Sequence, residues 1–319
     1  TGNNNVAVGT NAGLVLQGAA ADNAILGAFA GAQQTTGTRT AALGYKAGYN
    51  LTTGHSNVAI GWQALLTEDA HSNNVAVGAS ALQTQNAGAH AYNTAVGFQV
   101  GASITTGIEN TLMGGLTGDH LTDADFNTAV GYSALTADTL GSKSVAVGTA
   151  ALQAQNFTSA TDSHNTAVGF SAGKAVTTGI HNNLIGGIVG DHITTGNYNT
   201  AVGYSSATAI TTGVENTIIG ALAGAALTDA DYNVALGVQA LAADTLGSKS
   251  VALGNQALYA QNFTTATDTF NVAIGFQAGL SVTTGTVNTL IGGLAGDAIT
   301  TGAANVAVGA NALSAVTTT

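Results

Sequence analysis

The chain has 319 residues with no proline and no cysteine, and its formal net charge is −11 with only five Lys+Arg. So few basic residues argue against a nucleic-acid phosphate backbone as a partner, and without cysteine there is no disulfide framework. Mean hydropathy is positive at +0.28, yet the most apolar run, Thr217 to Leu227, falls well short of the ~18 apolar residues of a spanning helix, so membrane insertion is not expected.

From Asn5 onward one word recurs: asparagine, any residue, a small or aliphatic residue, an aliphatic residue, glycine. It can be laid down eighteen times, with its glycines running from Gly9, Gly27 and Gly44 to Gly292 and Gly309. Thirteen of the seventeen gaps are 17 residues, and the others are 18, 19, 21 and 21. A fixed period this short implies stacked, near-identical coils and a single solenoid array over 1–319. The chain opens at Thr1 in mid-repeat and stops at Thr319 just after one, which reads as a segment of a longer protein or a processed product.

The coil from Asn199 shows the design. Thr200 to Tyr204 alternate sides as a short strand does. Counting the asparagine as first, the fourth position is aliphatic in every coil, from Val8 and Leu26 to Val308, and is expected to be a core column. A second aliphatic column lies eleven residues after the asparagine: Ile104, Leu121, Val176, Ile193, Ile210, Leu227, Val282, Ile299 and Val316. Thr-Thr-Gly or a relative follows it at Gly37, Gly54, Gly107, Gly179, Gly196, Gly213, Gly285 and Gly302, where glycine is expected to supply a positive-φ turn. Each coil then reads as two short strands joined by two glycine-bearing turns, with parallel pairing between coils. The asparagine column, replaced only by Thr40, Ser144 and Ser250, reads as a turn residue whose amide stacks on the next coil's.

The coils come in two volume types. Seven with a small third residue carry an aromatic sixth: Tyr45, Trp62, Phe98, Tyr132, Phe170, Tyr204 and Phe276. Five have a large third residue (Ile25, Leu112, Leu184, Ile218, Leu290), a small sixth and a large seventh (Phe29, Leu116, Ile188, Leu222, Leu294). This exchange points to core or subunit packing. So thin a roll covers itself poorly, and low charge with positive hydropathy implies a long face buried against other chains. A parallel homotrimer about a shared axis is the expected assembly.

In chain order, the first lengthened coil carries Gln83 to Tyr92, with Asn86 and His90 as candidate contacts. Asp119-His120 and Asp191-His192 occupy equivalent turns, and a trimer axis would gather such histidines, so His120 and His192 are weak metal candidates against the commoner solvated turn. Asp123/Asp125 and Asp229/Asp231 lack the EF-hand pattern. The second insertion, Gln153 to His164, offers Asn156, Phe157 and Asp162; its duplicate, Tyr259 to Phe270, offers Asn262, Phe263 and Asp268. Insertions in solenoids often form the binding face, although inert decoration left by duplication is the plainer reading. Asn50, Asn156 and Asn262 also stand in Asn-x-Thr sequons. No nucleophile–base order or phosphate-binding loop stands out, so neither an enzyme nor a cofactor is expected.

Ser144-Val-Ala-Val-Gly148, Ser250-Val-Ala-Leu-Gly254 and the Asn-Val-Ala-Ile-Gly words at Asn57 and Asn271 resemble the head repeats of YadA-like trimeric autotransporter adhesins. Asn127 to Leu135, Asn-Thr-Ala-Val-Gly-Tyr-Ser-Ala-Leu, looks more like repeats upstream of self-cleaving chaperone domains in bacteriophage tail fibres. The resemblance covers essentially the whole chain. It implies an all-β, left-handed parallel β-roll and an obligate trimer, serving as an extracellular, virion or cell-surface fibre that meets a host receptor or glycan. The adhesin heads have a somewhat shorter repeat. Thr-Thr-Gly repeated eight times also raises an ice-binding solenoid, although Thr-Asp-Ala-Asp and Leu-Gly-Ser-Lys-Ser interrupt that column.

Overall fold

A computed structural model describes residues 4–315, so Val316 of the second aliphatic column lies outside the described residues. Among them there is no helix, and hence none long and apolar enough to cross a membrane. The chain divides into two compact units, 1–163 and 164–319, built to one design. The first contains nine three-residue strands, from Val6–Val8 to Val145–Val147, and the second nine, from Thr166–Val168 to Val306–Val308. Within each unit these strands pair in parallel and in register from coil to coil, as Thr94 opposite Thr111 and Thr200 opposite Thr217. The expected parallel β-solenoid is present.

Its inside and outside differ from the sequence expectation. The buried strand residue is the third, not the fourth: Ala95, Leu112, Ala129 and their equivalents are sealed, with Ala7 in the first coil the exception. None of the eighteen fourth-position residues is buried, and Val8, Leu26, Leu43, Met113, Ile185, Leu236, Leu253, Ile291 and Val308 are openly exposed. A strand with a period of two must send alternate residues to opposite faces. The interior is narrow and already holds the large side chains of the opposite wall, so alanine suffices at the third position.

The second strand is absent from most coils. Around Thr105 the amides of Thr105 and Gly107 both donate to the Thr122 carbonyl, at 2.9 and 3.2 Å. Two amides converging on one acceptor bend the chain, whereas a ladder needs donors and acceptors in alternation. Only under the two longest insertions do two-residue strands form on this side, Gly141–Ser142 with Thr161–Asp162 and Gly247–Ser248 with Thr267–Asp268.

The two glycine columns have different causes. Gly27 has φ +137°, and a Cβ there would lie 2.5 Å from the next coil's Gly44 carbonyl oxygen, so both conformation and space demand glycine. The Thr-Thr-Gly glycines do not adopt positive φ. At Gly37 and Gly196 a Cβ would meet a carbonyl oxygen of the next coil at 2.5 Å, so close approach alone excludes a side chain. Positive φ falls mainly elsewhere, at the residue before the asparagine column and at the seventh and ninth positions.

Asparagine at the first position is buried in every coil that has it except those of Asn5 and Asn305. In the coil from Asn57, Nδ2 donates to the His71 carbonyl at 2.9 Å, and Oδ1 accepts the next coil's Asn74 backbone N–H at 2.9 Å. Most such side chains close their own coil and cap the next; Asn74 only caps, through the Asn93 N–H at 3.2 Å. Direct amide-to-amide bonds also occur, as from Asn216 to Asn199 at 3.1 Å.

The core exchanges volume between the third, ninth and twelfth positions. All five large third residues lie in coils with a ninth-position glycine: Gly31, Gly118, Gly190, Gly224 and Gly296. A Cβ on Gly190 would come within 3.0 Å of Leu184. Where leucine takes the ninth position, as at Leu65, Leu82, Leu135, Leu152, Leu241 and Leu258, it is buried at positive φ, and the twelfth residue becomes polar. The sixth and seventh positions lie outside this core, so their exchange with the third is not internal packing.

Candidate functional site

Beside the exposed fourth column, the aromatic sixth residues also face out. Trp62, Phe98, Tyr132, Phe170, Tyr204 and Phe276 are each more than half exposed. Bulk alternates with small residues along each unit: Trp62, Ala79, Phe98, Gly115, Tyr132 in the first, and Phe170, Gly187, Tyr204, Ala221, Val238 in the second. A Cβ on Gly115 would touch the Tyr132 ring at 3.4 Å, and at Gly187 the Tyr204 ring at 3.7 Å. Near the start of the first unit, Val6, Leu26, Leu43 and Ile60 line an open apolar hollow. Within each unit these columns make an apolar face.

The three lengthened coils are tied down at their bases by buried polar pairs. Asp138 is fully buried. Its carboxylate accepts from the Gly141 N–H at 3.0 Å, the Phe157 N–H at 3.2 Å and Gln155 Nε2 at 2.6 Å. Asp244 repeats this with Gly247, Phe263 and Gln261 at 3.1, 3.0 and 2.6 Å. Phe157 and Phe263 are only 6% and 7% exposed, so they anchor their loops and offer no outward surface. Asp162 and Asp268 are exposed but paired with Lys143 and Lys249, each at 2.5 Å. Asn156 and Asn262 are exposed and accept from Thr139 and Thr245 at 3.1 Å. In the shorter insertion Asn86 and His90 are exposed, and the His90 ring meets Tyr92 edge-on at 6.2 Å.

Glu68 and Gln85 form the corresponding pair beneath that shorter insertion. Glu68 is buried and accepts from the His71 N–H at 3.2 Å and His71 Nδ1 at 3.1 Å, whereas Gln85 Nε2 stands at 3.4 Å. Burial raises the Glu68 carboxyl above the usual glutamate value, and the hydrogen bonds from His71 offset part of that rise.

His120 and His192 belong to different units, are both exposed, and are partnered locally. Each Nδ1 approaches the neighbouring aspartate, at 3.3 and 3.2 Å, and a carbonyl of the next coil, Thr136 or Thr208, at 2.9 Å. Asp125 and Asp231 accept backbone N–H groups of the preceding coil, from Ile108 and Val214, at 2.8 Å, so neither points at its neighbouring acid. The first threonine of Thr-Thr-Gly donates its hydroxyl inward to the next coil, as Thr194 to the Thr211 carbonyl at 3.1 Å. An ice-facing surface needs those hydroxyls free.

A further column escaped the sequence reading. The residue before each asparagine-column position has positive φ in all eighteen coils, although glycine never stands there. Each such residue costs about 1 kcal/mol of backbone strain. Its side chain is varied and mostly outward: Glu109, Phe126 and Lys143 in the first unit, Tyr232, Lys249 and Phe270 in the second. His164, His181 and Tyr198 stack ring on ring, with centroids 5.2 and 4.7 Å apart. Chemical variety at one place in an otherwise uniform coil is the signal that would have found it.

No protein-family model matches this chain, and no match is found among curated proteins.

Proposed function

We propose that this chain is the shaft of a homotrimeric extracellular or virion fibre of the bacteriophage tail-fibre kind. It spaces and presents host-contacting surfaces to a receptor or glycan. The observation that carries this reading is the apolar face of each unit: nine unburied fourth-position residues beside a column that carries exposed aromatic rings. Monomeric soluble proteins rarely leave so extended an apolar surface uncovered, and covering a side chain that is already about half buried contributes on the order of 1 kcal/mol. The strand column and the aromatic column flank the glycine corner, giving one flank to each neighbour in a three-fold ring. Parallel copies sharing one coil pitch keep the columns in step along that ring. The roll is left-handed by its resemblance to the adhesin heads.

The varied column before the asparagines and the exposed parts of the lengthened coils remain outside such a ring, where a receptor is reached. A bacterial adhesin head is the second reading; a membrane β-barrel anchor encoded downstream would favour it, and a self-cleaving chaperone domain would favour the fibre. Light scattering on the purified chain should give about three times the 31.1 kDa chain mass. A stable monomer would overturn the reading. Placing lysine at Val130 and Val147, both outward on the strands, should release monomers with the coil fold intact.

A further inference from the structure

Residue 71 breaks the coil pattern. The other 17-residue coils have glycine or alanine there, as at Gly54, Gly107, Ala124, Gly141 and Gly179, because the next coil passes too close. His71 stands directly below the lengthened coil that carries Ala87. In the equivalent pair a Cβ on Gly141 would run into the Asp138 carboxylate and would meet Phe157 at 2.7 Å, so the space over that glycine is taken by both. The pattern Gly141 with Phe157 has thus become His71 with Ala87. Phenylalanine would fill the space as well, but the imidazole also places a nitrogen against a buried carboxylate.

His71 Nδ1 lies 3.1 Å from Glu68 Oε1 and 4.0 Å from Asp69 Oδ1. The three ligand atoms all fall within 4.8 Å of one another. A tetrahedral zinc with bonds near 2.0–2.1 Å holds its ligand atoms about 3.3 Å apart, so the His71–Glu68 pair is already spaced for it. Only the half-exposed Asp69 carboxylate must move in, and its exposure leaves room for a water ligand. Glu68 is also less well satisfied than Asp138. Its second oxygen has Gln85 at 3.4 Å where Asp138 has Gln155 at 2.6 Å. The Asn74 amide nitrogen, whose Oδ1 shares that glutamine at 3.0 Å, is buried without a partner.

We infer that Glu68, Asp69 and His71 form a binding site for a divalent transition-metal ion of the zinc class. One imidazole with two carboxylates is a mixed nitrogen and oxygen set that suits zinc or cobalt rather than calcium. On binding, the ion takes the place of the proton between Nδ1 and Glu68 Oε1. That proton leaves to solvent, and the ring keeps its other proton on Nε2. The site is independent of the fibre reading and is complete within one chain.

The test is calorimetric titration of zinc chloride into the full chain after chelator treatment and dialysis, with cobalt(II) as a spectroscopic probe. One ion per chain should bind, and cobalt should give a visible absorption band. His71→Phe borrows the phenylalanine solution of the sister coils; it should abolish the band and weaken binding beyond the roughly 10–100-fold cost of losing a mere supporting partner. Asp69→Asn changes a surface group and tests the site should the first variant fail to fold. It should weaken binding clearly, while His120→Ala and His192→Ala leave it unchanged. No ion bound to the native chain, or undiminished binding in either of the first two variants, overturns the inference.

Discussion

The coil pairs at Glu68–Gln85 and Asp138–Gln155 solve one problem with different parts. In both, leucine at the ninth position occupies the core, an acid and a glutamine are buried at the twelfth, and the upper coil is lengthened. The aspartate is short enough to leave Gln155 at 2.6 Å and to take two loop N–H groups. The glutamate, one methylene longer, takes both its strong bonds from His71 and leaves Gln85 at 3.4 Å. A buried carboxylate thus serves as a loop anchor in one pair and as half of an imidazole pair in the other. Lengthened coils are therefore attached through the core.

The sharpest way to break this comparison is Asp138→Ala. It leaves two backbone N–H groups and Gln155 without their acceptor, at about 1–3 kcal/mol each before relaxation. The first unit should lose about 3–5 kcal/mol, with amide exchange accelerating at Gly141 and Phe157. Exchange of those amides at the native rate would show that the carboxylate does not hold the loop. Next comes Phe157→Ala, expected to cost about 3–4 kcal/mol by denaturant unfolding.

Glu68 sharpens the contrast through pH. Its carboxyl binds a proton more tightly folded than unfolded, so the folded state holds more protons between the two pKa values. Stability from this group is therefore greatest below the ordinary glutamate range and falls as pH rises through the folded value. Urea unfolding with chelator present should show that decline in the native chain and lose it in Glu68→Gln. The smallest effect belongs to Lys143→Ala, since the pair with Asp162 is 40% and 52% exposed at its two ends. Its loss should cost under about 1 kcal/mol and fade further in high salt.

Much of the fold was legible because a 17-residue beat leaves few alternatives to stacked parallel coils. Strand positions followed, since Thr200–Val202 and its relatives are flanked by the asparagine and glycine that limit them. The parity of those strands was not legible. Alternation says that neighbours face opposite ways but not which is inside, and in the coils with alanine at the third position the larger residue turned out to face outward. The lengthened coils were visible as slips in the beat, and Asn86, His90, Asn156 and Asn262 do lie exposed there. Phe157 and Phe263 were misplaced because a phenylalanine among polar neighbours reads equally well as a contact or as an anchor.

By itself, then, the sequence determined the period, the parallel stacking and the places where a coil must expand. These are set by glycine geometry and by side chains repeated along the chain. The tertiary structure alone decided which apolar column faces outward, why the two glycine columns exist, and that Glu68, Asp69 and His71 converge. Those depend on how closely one coil approaches the next, a distance of a few ångströms between residues 17 or more apart in the chain, which residue order does not state.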